Sequence, residues 1–283
     1  MILIADSGST KCDWVLVDNN MEQPIRIGTK GLNPAILKRE AIHKIVATNE
    51  ILANYCDEIK KVYFFGAGCN TPQSILLVES VLTNVFKNAS TVVQEDTMAA
   101  VRATTNKPAV VCILGTGSNC CYYDGKSIQL KVPAMGYLLM DEGSGNYYGK
   151  ELLKSYYYNQ MPNDLKLSFE SEFVLDEGNV INKLYLSETP NQYLAEFAVF
   201  LFKNKEHPLM NKMIKEGIAK FIDNQIFQYH EELKTAPLYF VGSIAFYAQT
   251  FINKELEAKG LKASGFVKSP IENVIQGLLE EHF

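Results

Sequence analysis

The feature that most constrains this chain is a plan used twice: a buried strand, a turn of small residues, and a returning strand. Ile2–Ala5 is an apolar run, Asp6-Ser7-Gly8-Ser9-Thr10 has turn composition, and Cys12–Asp18 reads as a second strand that Asp18-Asn19-Asn20 ends. Residues 109–125 repeat the plan. Ala109–Leu114 is the apolar strand, Gly115-Thr116-Gly117-Ser118-Asn119 the turn, and Cys120–Tyr123 the return, ended by Asp124-Gly125. Superposing Gly8 on Gly117 sets Asp6 on Gly115, Ser7 on Thr116, Ser9 on Ser118 and Thr10 on Asn119. Two such copies point to an internal duplication.

The patterning around the hairpins is α/β. Helical apolar spacing covers Glu40–Ala53 and Gln73–Phe86, and strands are predicted at Lys61–Phe65 and Ser90–Gln94. Asp96–Ala103 opens a further helix. After the second hairpin come a helix from about Gly145 to Asn159 and a largely helical stretch over 165–235, broken by Pro208. Leu238–Val241 is a strand ending at Gly242-Ser243. It is followed by a helix to about Lys259 and a last helix over 270–281. The chain therefore divides into two α/β halves, 1–107 and 108–283, with extra helices in the second.

A length of 283 residues with 47% hydrophobic and 21% charged residues is globular and suits two domains. The net charge of −5 argues against nucleic acid as a partner, since phosphate backbones require a basic surface. No apolar run reaches the ~20 residues of a membrane span, and Met1–Ala5 lacks the basic region of a signal peptide. The expected location is the cytoplasm. The six cysteines lack C-x-x-C spacing and are read as free, mostly buried thiols.

Several sites are excluded. No G-x-G-x-x-G follows a strand, and Gly125-Lys126-Ser127 lacks the glycine that a P-loop needs at position 120. The histidines (His43, His207, His230, His282) are scattered, so no structural zinc is expected. The paired small-residue turns remain. Such turns present backbone N–H and hydroxyl groups without bulk, as a polyphosphate requires. Asp6 adds a carboxylate suited to a hydrated Mg²⁺.

Asp6-Ser-Gly-Ser-Thr10 resembles the first phosphate motif of the sugar kinase, heat-shock protein and actin superfamily. Gly115-Thr-Gly-Ser-Asn119 is similar to its second phosphate motif, and Val241-Gly242-Ser243 to its adenosine motif. More narrowly, Leu114-Gly-Thr-Gly-Ser-Asn-Cys120 followed by Met140-Asp-Glu-Gly-Ser144 resembles the N-acetylglucosamine kinase branch. That branch shares a family with activator ATPases of dehydratases and benzoyl-CoA reductase. The resemblance runs from residue 1 to about 280. It implies two ribonuclease H-like (actin-like ATPase) domains flanking a nucleotide cleft, the last helix packing on the first domain, and a homodimer as an option.

The resemblance also implies roles. Gly8, Ser9, Thr10, Lys11, Thr116, Gly117, Gly242 and Ser243 would hold ATP, with Asp6 binding Mg²⁺ through water. Asn33, Ser118, Asn119, Gly136 and Asp141 would contact an N-acetylated amino sugar, with Asp96 as the catalytic base. Glu95 and Glu142 are the rivals of Asp96 and Asp141, and the plain alternative for Asp96 is a helix N-cap. For Asp141 the plain alternative is loop-to-helix capping around Gly143-Ser144. The animal enzymes carry a tryptophan where Met135 stands here, which bears on how the sugar packs. Trp14 is expected in the core, and Tyr156-Tyr157-Tyr158 on an interdomain or dimer face.

The implied activity is ATP-dependent phosphorylation of N-acetylglucosamine to its 6-phosphate, with glucosamine and N-acetylmuramic acid as alternatives. An iron–sulfur activator ATPase would need cluster-ligating cysteines beyond the second loop, and none follows Cys121. A sugar sensor of this kind usually carries an N-terminal DNA-binding segment, whereas the phosphate hairpin starts this sequence.

Overall fold

A computed structural model describes residues 1–8, 11–18, 21, 23–187, 189–271 and 273–275. Ser9, Thr10 and, of the last helix expected over 270–281, residues 272 and 276–281 lie outside the described residues. The chain forms two compact units. Residues 1–103, with 271 and 273–275, make the first, and Thr104–Pro270 the second.

The first unit runs β1 (Ile2–Ser7), β2 (Lys11–Val17), β3 (Ile25–Lys30), α1 (Arg39–Ala47), α2 (Glu50–Asn54), β4 (Lys61–Gly66), α3 (Pro72–Val85), β5 (Ser90–Glu95) and α4 (Asp96–Arg102). Its sheet has the order β3-β2-β1-β4-β5. The β1–β2–β3 pairs are antiparallel, and β1, β4 and β5 are parallel. The continuous apolar runs of β1 and β4 suit central strands covered on both faces. The helix expected over 40–53 is two. Thr48 caps α1, and the Asn49 side chain accepts the Leu52 N–H at 3.0 Å to start α2, so a local cap competes with the apolar period. Asp6 and Ser7 are not turn residues but the end of β1, paired with Asp13 and Cys12.

The second unit runs β6 (Ala109–Leu114), β7 (Ser118–Tyr123), β8 (Ile128–Gln129), α5 (Gly145–Tyr157), α6 (Asn163–Glu172), α7 (Glu177–Tyr185), α8 (Pro190–Glu196), α9 (Ala198–Lys203), α10 (Pro208–Asn224), β9 (Leu238–Val241), α11 (Ser243–Tyr247), α12 (Gln249–Glu257) and β10 (Gly265–Val267). Its sheet, β8-β7-β6-β9-β10, repeats the first: two antiparallel neighbours on one side of the central strand, two parallel ones on the other. The duplication therefore extends to the whole sheet. The six helices α5–α10 occupy the connection that holds only α1 and α2 in the first unit.

Register corrects the superposition of the turns. Ser7 pairs with Cys12, but Leu114 pairs with Ser118 across a turn one residue shorter. By strand ends Asp6 corresponds to Ile113 rather than Gly115, and Ser118 and Asn119 belong to β7. Pro208 begins α10, where its missing N–H costs nothing.

Each unit has its own core. The first gathers Trp14, Phe64 and Phe86, with Trp14 Nε1 donating to Thr29 Oγ1 at 2.9 Å. The second gathers Tyr148, Phe169, Phe197, Phe200 and Phe221. Tyr156 and Tyr157 bind inside their own unit: the Tyr156 ring sits 5.8 Å from Phe169, and Tyr157 donates to Leu175 O. All six cysteines are free thiols, five of them buried.

Candidate functional site

The candidate residues of the first unit gather at the C-terminal ends of its parallel strands, where open α/β sheets place ligands. Asp6 and Ser7 end β1. The buried Ser7 Oγ accepts the Leu32 N–H at 2.9 Å, and Ser7 O accepts the Ala67 N–H at 2.8 Å. These bonds draw the loop after β3 and the turn after β4 onto the same edge. Asn33 lies in that loop, buried, its Oδ1 accepting the Ala35 N–H at 2.8 Å. Gly68, at φ +79°, lies flat on it: a Cβ there would stand 2.0 Å from Asn33 Oδ1. Only glycine permits both the conformation and the approach.

Beside this edge β5 ends in Glu95 and α4 begins with Asp96. Glu95 occupies the N-cap position but its side chain makes no cap bond. Asp96 is thus the first helical residue rather than the cap, and its carboxylate accepts the Thr97 N–H at 3.0 Å. Asp96 presents an exposed surface although protein crowds around it. The exposed surface decides that a ligand can reach it; the crowding pushes its pKa upward, opposed by the Thr97 N–H. Asp6 is pushed up to about 6, first by burial and then by the charges of Asp96 and Asp13, with Lys11 pulling the other way. Burial and Asp96 also raise Glu95. The Gly8 N–H donates to Lys11 O at 2.9 Å. The exposed Lys11 ammonium pairs with Asp13 at 2.7 Å.

Among the described residues no group of three His, Cys, Asp or Glu side chains could hold a metal alone. Asp6, with Asp96 close enough to shift it, is instead a small hard-oxygen set. That suits Mg²⁺, which keeps several waters and takes further oxygens from a substrate's phosphates.

The second unit builds its part on the short turn Gly115-Thr116-Gly117. The Gly115 and Thr116 carbonyls accept the first N–H groups of α5, from Gly145 at 2.8 Å and Asn146 at 3.0 Å. Asp141, buried and at φ 71°, accepts the Ser118 N–H on Oδ1 at 3.1 Å and Asn146 Nδ2 on Oδ2 at 2.8 Å. A Cβ on Gly117 would meet that Oδ2 at 2.8 Å. Gly242, at φ +114°, closes the other side, where a Cβ would stand 2.3 Å from Leu114 O. Thr116 is exposed, and the Thr116 and Gly117 N–H groups have no acceptor among the described residues. The Ser118 hydroxyl is buried without a partner. Together these are donors set for an oxyanion. Ser144, not Asp141, is the N-cap of α5, and Glu142 faces outward to Asn224. Gly136, at φ +75°, and the exposed Met135 lie in the loop before Asp141. Ser243 opens α11 and lines a cavity of about 440 Å³ with Ala198, Val199, Phe202, Ile244 and Tyr247.

The bracing role of Ser7, and Gly68 and Asn146, escape a reading of the sequence alone. Their partners are backbone groups or side chains that only the fold brings near. Gly66-Ala67-Gly68 at a strand end was the one visible signal.

No protein-family model matches the chain, and no curated protein sequence matches it. Among solved structures, a proposed N-acetylglucosamine kinase from Porphyromonas gingivalis is 32% identical, with a TM-score of 0.90 over 100% of both chains. The chain belongs to the N-acetylglucosamine kinase family. A second proposed N-acetylglucosamine kinase, from Chromobacterium violaceum, matches at TM-score 0.68 with 12% identity over 98% of both chains. A ROK family glucokinase from Streptomyces griseus, solved with glucose and AMPPNP, matches at 0.55 with 12% identity over 98% of this chain and 97% of its own. At that identity these two share the fold, which is the two-domain α/β fold of sugar kinases and actin-like ATPases. The Asp-Glu-Gly-Ser run of this chain is the segment that carries Asp141 and the cap of α5.

Proposed function

We propose that this family member is an ATP-dependent sugar kinase that phosphorylates an N-acetylated amino sugar, N-acetylglucosamine on its 6-hydroxyl first of all. The observation that carries the reading is the placing of Asp6 and Asp96 at the same end of one sheet: Asp6 mostly buried, Asp96 exposed to a ligand while the protein crowded around it raises its pKa. The likeness to the Porphyromonas gingivalis protein supports the choice of sugar.

The chemistry follows from these groups. Asp96 accepts the proton of the sugar hydroxyl as its oxygen bonds to the γ-phosphorus. The bond from that phosphorus to the β,γ-bridging oxygen breaks, and ADP leaves with the electron pair. In the second unit the N–H groups of Thr116 and Gly117 take phosphate oxygens; in the first, Gly8, Ser9, Thr10 and Lys11 are the residues assigned to phosphate. Mg²⁺, held by Asp6 through water, would offset the charge of the β- and γ-phosphates. The adenosine lies against Gly242 and Ser243, where the cavity beside α11 has room for a base. Asn33, Ser118, Asn119, Gly136 and Asp141 hold the sugar, and Met135 bears on its acetamido group.

The test is ADP release with Mg-ATP across N-acetylglucosamine, glucosamine, N-acetylmuramic acid, N-acetylmannosamine and glucose, with Asp96→Asn alongside. The expected result is turnover with an N-acetylated amino sugar and a loss of about 10²–10⁴-fold in kcat for the variant. No stimulation by any sugar, or a folded Asp96→Asn enzyme with full turnover, overturns the reading.

A further inference from the structure

We infer that Asn146 is a positioning residue for the phosphate loop: its side-chain amide locks Asp141 against Gly117 and Ser118, which fixes the direction of the loop's open N–H groups. The inference rests on reading Gly115-Thr116-Gly117 as a nucleotide-phosphate loop. Asn146 is 1% exposed and ties the Thr116 loop to the turn that leads into its own helix. Its backbone N–H holds Thr116 O at 3.0 Å. Its Nδ2 holds Asp141 Oδ2 at 2.8 Å, and its Oδ1 lies 3.0 Å from the Ser144 hydroxyl. Asp141 passes the constraint on through its 3.1 Å bond from the Ser118 N–H.

The residue type is dictated by the partners. Asp141 Oδ2 can only accept, so the group facing it must donate. The one Ser144 hydroxyl proton goes first to Asp141 O at 2.6 Å, with Asn146 Oδ1 a second acceptor at 3.0 Å. Asparagine supplies the donor to Asp141 on a short side chain and leaves only an acceptor toward Ser144. An aspartate would set two carboxylates face to face, and an alanine would leave a buried carboxylate oxygen without its donor. Either change frees the Asp141 carboxylate to turn away from Gly117. The loop would then lose the brace beneath Gly117 while its carbonyls stayed tied to α5. Asn146 acts through Asp141 and is assigned no contact with nucleotide or sugar.

The test is the affinity for Mg-AMPPNP without sugar, by calorimetry, for the wild type, Asn146→Ala, Asn146→Asp and the exchanged pair Asp141→Asn/Asn146→Asp. Circular dichroism and thermal melting report the fold of each. Asn146→Ala should weaken binding by about 3–10-fold, and Asn146→Asp by more than 10-fold. The exchanged pair restores an amide facing a carboxylate with an acceptor still on Ser118, and should regain most of the loss. A folded Asn146→Ala protein with wild-type affinity overturns the inference, as does a loss in Asn146→Asp that the exchanged pair does not recover. Failure of both single variants to fold makes Asn146 a structural residue and also overturns it. A wild type that binds no nucleotide strikes the reading of the loop itself, and so is told apart from these.

Discussion

Asp6 and Asp96 are carboxylates at one strand edge that the protein treats differently, and the difference can be measured. Asp6 has a folded pKa raised from 3.8 to about 6, chiefly by burial. A raised carboxyl pKa means that its contribution to stability is fully present below the unfolded value and is lost as pH rises through the folded one. Above about pH 6 the ionised Asp6 therefore costs the ligand-free protein up to about 3 kcal/mol. Asp6→Asn should raise stability at pH 7.5 by about 1–3 kcal/mol, lose that gain by about pH 4, and abolish Mg-ATP-dependent turnover. Melting curves at the two pH values decide it; a lower midpoint for the variant at pH 7.5 would show a carboxylate already compensated in the fold. At this scale the sequence showed what chemistry demands of a residue type. Asp6 stood after a buried run and Asp96 at a strand-to-helix joint. The braces stayed hidden: Ser7 acts on the Leu32 N–H, distant along the chain, and the Asn146 amide reaches Asp141 only through the turn that holds Asp141 at φ 71°.

Elements, more than single residues, set the shape of the second phosphate loop. The loop is wedged between the first turn of α5 and the bend after β9, and the glycine packed against it differs from the one that begins it. Gly242 lies against Leu114 O at a positive φ, whereas a Cβ on Gly115 would meet nothing within 4 Å. Gly242→Ala should therefore cost about 2–4 kcal/mol in urea unfolding and raise the KM for ATP. Gly115→Ala should cost under about 1 kcal/mol. Equal costs would show that the close packing at Gly242 is not what holds the loop. The long elements were legible, since β1, β4, α3 and α10 carry their period in their own residues. The edge strands β3, β8 and β10 were not. β8 has two residues and β10 three, and both exist only through pairing with neighbours that the fold supplies. The Asn49 cap that splits 40–53 was missed because the apolar spacing runs across it.

Across the whole molecule one topology appears twice, and the two copies enclose separate cores. The hairpin plan visible in the sequence was the trace of this repeat. The extra helices of the second half were legible as well, but not how the six of them pack, because a connection's length says nothing about that. Separate cores imply separate cooperativity. Phe64 is fully buried in the first core and Phe221 in the second, and each replaced by alanine should cost its own core about 3–5 kcal/mol. Calorimetry should therefore resolve two transitions. Phe64→Ala should lower one and Phe221→Ala the other, with the unaffected transition staying within about 2 °C. One transition that both variants lower equally would mean that the duplicated units unfold as a single body. Mg-AMPPNP, added to the same scans, should raise a transition by mass action, because it binds the folded phosphate loop and not the unfolded chain. The rise should shrink in Asn146→Asp, because a loop that has lost its brace gives the nucleotide less to bind.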